Sequence, residues 1–173
     1  MEEALRRVAE MMELSARTAP KTGGRDFIVT RVVTGEDLKR LGAEMKKYGD
    51  ETGKRNFDRD GRNVADSGAL LLIGLRGARD AGLNCGACGN ARCAELQEAR
   101  LGPEFSGPFC AWRFVDLGIA LASAAKTASL LNADNRIMYR VGVLAKKLGI
   151  IDADVVVGIP LSATGKSIYY DRG

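Results

Sequence analysis

The 173-residue chain contains no histidine, and that absence removes Ser-His and Cys-His nucleophilic catalysis together with every imidazole-ligated metal site. No run of about eighteen apolar residues occurs, and the opening MEEALRRVAEMMELSA lacks a continuous apolar h-region. Neither membrane spanning nor export is supported, so the chain reads as cytoplasmic with no membrane partner. Charge of one sign is not concentrated either. At a net charge of +4, acids and bases alternate through KKYGDETGKRNFDRDGR (46–62), which reads as solvated surface and gives no nucleic-acid footprint. Repeats, low-complexity tracts and dividing linkers are lacking, and 46% hydrophobic residues suffice for one core, so residues 1–173 read as a single domain.

Hydrophobic periodicity supplies the elements. Leu5, Val8, Met11 or Met12, and Ala16 share a helical face within Glu2–Arg17, and Pro20 stops that helix. DFIVTRVV (26–33) reads as a buried strand. Thr34 with Asp37 resembles a capping box opening a helix over Glu36–Tyr48, with Leu38, Leu41 and Met45 on its apolar side; a charged, glycine-punctuated connector follows. ALLLIGL (69–75) is wholly apolar and suits a strand covered on both faces. DLGIALASAAKTASLLN, from Asp116, predicts a helix whose small residues admit a close neighbour, in the core or at a subunit interface. A helix over Arg136–Leu148, a strand at DVVVGIP ending at Pro160, and a terminal strand at SIYYD complete the expectation.

Cysteine is scarce, four in all, yet crowded: Cys85, Cys88, Cys93 and Cys110 are spaced C-x2-C-x4-C-x16-C. In a reducing compartment, clustered cysteines point to metal ligation before disulfides. A helix starting near Ala91 would carry Cys93, and Gly86 and Gly89 would let the backbone curl and aim N–H groups at sulfur. A structural zinc site more often pairs two C-x2-C knuckles, and here there is one, so an iron–sulfur cluster leads while zinc and spectator thiols stay open. The two-residue gap precedes the four-residue gap, the reverse of the plant-type [2Fe–2S] order, which favours [4Fe–4S].

CGACGNARC followed by Cys110 resembles the C-G-x-C-G-x-x-x-C…C segment of corrinoid iron–sulfur proteins and related electron-transfer subunits, which implies a [4Fe–4S] cluster on these four residues. Those proteins usually carry prolines after the last cysteine, whereas this chain has Pro108 before it. ARTAPKTGGRD, CGACGNARC, DLGIALASA, ADNRIMYRVG and VVVGIPLSATGKSIYYDR together resemble an uncharacterised family of prokaryotic ferredoxin-domain proteins. The order of elements is similar to the FMN-dependent nitroreductase fold, an α+β sandwich that dimerises through long helices. In the flavin-approaching A-P-S-x-x-N-x-Q-P segment of that fold, Ala19 and Pro20 match, while Lys21 and Gly24 replace the serine and asparagine. The resemblance implies a homodimer, and Arg17, Lys21, Arg25, Lys166 and Arg172 as basic residues converging on an FMN phosphate.

Two further signals read as decoys. GIPLSATGKS lacks the G-x4-G-K-[ST] spacing, and the paired carboxylates Asp58/Asp60 and Asp152/Asp154 read as solvated turns. The leading expectation is therefore an α+β, nitroreductase-like sandwich with an inserted cysteine segment (82–110), binding one [4Fe–4S] cluster for electron transfer with a redox partner protein. The alternatives are an FMN-dependent oxidoreductase fed by the cluster, and a zinc-stapled binding module.

Overall fold

Leu5, Ala9, Met12 and Ala16 form one buried stripe along α1 (Glu2–Thr18) in the computed structural model, which describes residues 1–170. Met12 is the inward methionine, since Met11 is 51% exposed. Ala19 leaves the helix in an extended conformation (φ −54°, ψ 138°), as the residue before a proline must.

Four strands form one antiparallel sheet in the order β1 (Ile28–Val33), β2 (Ala69–Leu75), β6 (Val155–Ser162) and β5 (Asp134–Asn135). Side chains alternate across it. Leu71, Ile73, Leu75, Ile159 and Leu161 face α1 and α4 (Ala111–Leu130), whereas Leu70, Leu72 and Val156 face α2 (Glu36–Thr52), α3 (Phe57–Ala65) and α5 (Tyr139–Lys147). Every residue of β2 is buried, as its unbroken apolar run requires. The α5 layer closes tightly on the sheet: a Cβ on Gly142 would stand 1.9 Å from the Val156 carbonyl oxygen, so only glycine fits. None of the described helices is long and apolar enough to cross a membrane.

Several sequence expectations are corrected. β1 is an edge strand with Arg31 exposed, and only its two terminal residues are buried. Gly35, not Thr34, is the N-cap of α2, with no side-chain cap. The supposed connector holds α3, which buries Phe57, Gly61 and Val64. Asp60 within it is no solvated turn residue: it is 1% exposed, with Arg59 and Arg140 at 2.7 and 2.9 Å. The small-residue helix begins at Ala111 and not Asp116, because Arg113 and Asp116 of its first turns are buried as a pair. β6 passes through Pro160, which sits opposite Leu70, and ends at Ser162. The SIYYD stretch forms a turn over 168–170, with Tyr169 buried against Ser67, while its Asp171 lies outside the described residues.

Candidate metal centre

The cysteine segment leaves the sheet after Leu75 and returns before α4, and both legs are tied to one residue. Asp154 accepts the Gly77 N–H through Oδ2 at 2.7 Å, and its carbonyl accepts the Ser106 N–H at 3.0 Å. The Lys146 ammonium bonds the same carbonyl and the Ser106 hydroxyl. On the returning leg a short hairpin, β3 (Arg100–Leu101) and β4 (Ser106–Gly107), places Phe105 against both hydrophobic clusters. Its Glu104 is held by Lys54, Tyr48 and Tyr139. Burial pushes the Glu104 carboxyl upward, but hydrogen bonds from Lys54, Tyr139 and Tyr48 outweigh it and leave it below the usual carboxylate range.

A buried ion pair anchors the entry. Arg113 and Asp116 are 1% and 2% exposed and meet at 2.9 Å. Arg113 also donates to the carbonyls of Arg79 (2.8 Å), Asp80 (3.3 Å) and Thr22 (3.1 Å), and lies over the Phe27 ring at 4.8 Å. Asp116 Oδ1 accepts the Thr22 N–H and hydroxyl, each at 2.7 Å. The first turns of α4 thus bind the TAPKTGG loop to the strand-exit leading into the cysteines.

Cys85 is exposed, Cys88 and Cys93 are half-buried, and Cys110 is buried as the N-cap of α4. Gly86 and Gly89 take left-handed conformations (φ 75° and 88°) with open space where a Cβ would be, and the Gly89 N–H closes a turn on the Gly86 carbonyl. Asn84 and Cys93 exchange hydrogen bonds: the Cys93 N–H donates to Asn84 Oδ1 at 2.8 Å, and the Asn84 N–H to Cys93 Sγ at 3.3 Å. Asn90 Nδ2 donates to Cys88 Sγ at 3.7 Å and Trp112 Nε1 to Cys85 Sγ at 3.2 Å. A hydrogen bond from the Ala87 backbone, with that from Trp112, holds the Cys85 thiol below its ordinary value. No helix starts near Ala91; a single 3₁₀ turn (Cys93–Glu95) carries Cys93. Among the described residues no three Cys, Asp or Glu side chains converge at metal-binding spacing. The donor set nonetheless fits a thiolate-ligated cluster, since three of the sulfurs already accept N–H bonds and the loop backbone is free of Cβ obstruction at both glycines.

The basic residues are dispersed. Arg17 pairs with Asp26 at 3.3 Å and donates to the Ile28 carbonyl, beside a groove of about 590 Å³ along β1 that Arg31, Arg76, Asp26 and Asp152 also line. Lys21 caps α1 through the carbonyls of Ala16 (3.0 Å) and Arg17 (2.6 Å). Arg25 is exposed. Lys166 is exposed beyond Ser162, whereas Arg17 stands at the Ile28–Leu75–Val155 end of the sheet, so one chain does not bring the two together. Arg172 lies outside the described residues. Trp112, Arg113, Asp116 and Asp154 are the site residues that sequence reasoning missed; a Trp two positions after Cys110, and an Arg–Asp pair at i, i+3 in a helix otherwise of small residues, were the available signals.

The family model described as "uncharacterized protein containing a ferredoxin domain (DUF2148)" matches residues 106–172. An uncharacterized protein of Archaeoglobus fulgidus is 52% identical over 171 residues, 98% of this chain and 92% of its own. The chain belongs to this ferredoxin-domain family. Its fold is nitroreductase-like. A nitroreductase with bound FMN from Desulfitobacterium hafniense superposes with a TM-score of 0.60 at 14% identity, over 92% of this chain and 78% of that one. Nitroreductase A from Vibrio parahaemolyticus gives 0.57 at 12% identity, over 93% of this chain and 59% of its own. At such identities the likeness is one of architecture, and in this family member the cysteine segment lies between β2 and α4.

Proposed function

We propose that this protein carries single electrons on one [4Fe–4S] cluster held by Cys85, Cys88, Cys93 and Cys110. The observation that carries the reading is the ring of N–H donors from Asn84, Asn90 and Trp112 aimed at three of the four cysteine sulfurs. Neutral thiols that merely packed a core would be buried and would attract no such set; thiolates carrying negative charge favour it. When bound, the cluster supplies reversible one-electron chemistry, taking an electron from a reduced protein partner and passing it to an oxidised one. The chain's own residues would hold it in place: Asp154 and the Arg113–Asp116 pair fix the two legs of the segment, and the Asn84–Cys93 exchange closes the loop. Cys110 at the N-cap of α4 places its sulfur where the helix dipole favours negative charge.

The same reading includes a homodimer across the outer face of α4, where Phe114 and Val115 stand exposed beside small residues at Gly118 and Ala122. Anaerobic reconstitution tests the cluster directly. Wild type should be brown, with four irons and four acid-labile sulfides per chain as the cluster formula requires, and serine at any of the four cysteines should abolish stable loading, since a hydroxyl is a poor iron ligand. Colourless protein holding one zinc would replace this reading with the stapled module.

A second reading, FMN bound by Arg17, is favoured by the groove beside that residue, whose basic side chains Arg17, Arg31 and Arg76 suit a phosphate. With Lys166 at the other end of the sheet, a phosphate site using both residues requires two copies of the chain. FMN should then bind much more tightly than riboflavin, which lacks the phosphate; equal affinity, or none, removes the flavin.

A further inference from the structure

Trp112 is the only tryptophan in the chain, and it is not used as a core residue: it is 38% exposed. Its indole Nε1–H is spent on Cys85 Sγ, 3.2 Å away across 27 positions of sequence. The donors to Cys88 and Cys93 come from within the cysteine loop, from Asn90 and Asn84, so they move with it. Trp112 instead sits on α4 between Cys110, the N-cap, and Arg113, whose bonds to the Arg79 and Asp80 carbonyls fix the loop's entry. Its donor is thereby referred to the rigid part of the molecule. A tryptophan selected for packing alone would be buried, and one selected for solubility would not be a tryptophan.

We propose that Trp112 is the positioning residue for the Cys85 ligand, orienting its sulfur toward the cluster and raising the cluster's reduction potential by hydrogen bonding. This rests on the cluster reading above. The physical reason is charge: the positive end of an N–H dipole stabilises a ligand sulfur more when the centre has gained an electron, so the bond favours the reduced form. Cys85 is the most exposed of the four cysteines, so it is the ligand at which water would otherwise take that place.

The test uses the reconstituted, full-length protein, and the single tryptophan makes it unambiguous. Wild type grown with ¹⁵N-indole-labelled tryptophan and chemically reduced should show a nitrogen coupling to the paramagnetic cluster by pulsed EPR, a signature that a packing role would not produce. Trp112→Phe, which keeps a ring and removes the donor, should retain iron and sulfide but titrate at a more negative potential. Trp112→Ala should in addition lose its cluster in air several-fold faster. If wild type takes up no iron and sulfide, both the cluster reading and this one are overturned, and that is seen before any variant is made. A loaded wild type without the nitrogen coupling, or a loaded Trp112→Phe protein at the wild-type potential, overturns the role of Trp112 alone. Should Trp112→Phe fail to load, the coupling in labelled wild type decides.

Discussion

Asp116→Ala is expected to cost the fold several kcal/mol. The substitution removes the only carboxylate among the described residues that bonds Arg113, a guanidinium that is 1% exposed and so cannot turn to water. Three carbonyl bonds, to Arg79, Asp80 and Thr22, remain and hold Arg113 where it is, uncompensated. Breaking a buried pair from one side costs about 3–5 kcal/mol. The two Thr22 donors also lose their acceptor, but Thr22 is only half-buried and its amide can take water, so they add little. At roughly 2–4 °C per kcal/mol for a chain of this size, the melting temperature should fall by about 6–20 °C. Urea unfolding of the metal-free protein reads the same loss as a lower midpoint at unchanged slope. The double variant Arg113→Met/Asp116→Leu removes both charges together and should cost less than Asp116→Ala alone. A loss within about 1 kcal/mol for Asp116→Ala, or a double variant as unstable as the sum of the singles, would refute the reasoning.

Gly142→Ala should destabilise by about 3 kcal/mol or more, because the new methyl meets a strand carbonyl that the sheet cannot release; chemical denaturation checks it. Burial raises the Tyr169 phenol well above its ordinary value, so the stability it confers is present below about pH 10 and is lost as pH rises toward the folded value. Tyr169→Phe should flatten that alkaline decline in a thermal-melt series. Oxidative removal of the cluster should leave cooperative unfolding intact, since both hydrophobic clusters are built mainly outside residues 82–110; circular dichroism after air exposure tests this. Light scattering at micromolar concentration should give a dimer mass, and a monomer mass would discard the α4 interface.

The sequence by itself determined the period-bearing elements and the crowding of the four cysteines into one segment. The stripe of α1, the apolar run of β2 and the Leu38–Leu41–Met45 face of α2 were legible because burial imposes a period on neighbouring residues. The cysteine spacing was legible because residue type and turn glycines are local properties; Gly86 and Gly89 do curl the backbone, in left-handed conformations, but the Gly89 N–H is spent on the Gly86 carbonyl and not on a sulfur. What only the tertiary structure decided is where charges go. α3 was hidden because its few apolar residues, Phe57, Gly61 and Val64, lie among charges, and one of those charges, Asp60, is buried by arginines from its own helix and from α5. The pairing of Arg113 with Thr22 and Arg79, of Asp154 with Gly77, and of Trp112 with Cys85 spans 91, 34, 77 and 27 positions. No local period encodes such contacts. They exist because an antiparallel sheet returns distant segments to one end, where a buried polar group must find its partner or unfold what surrounds it.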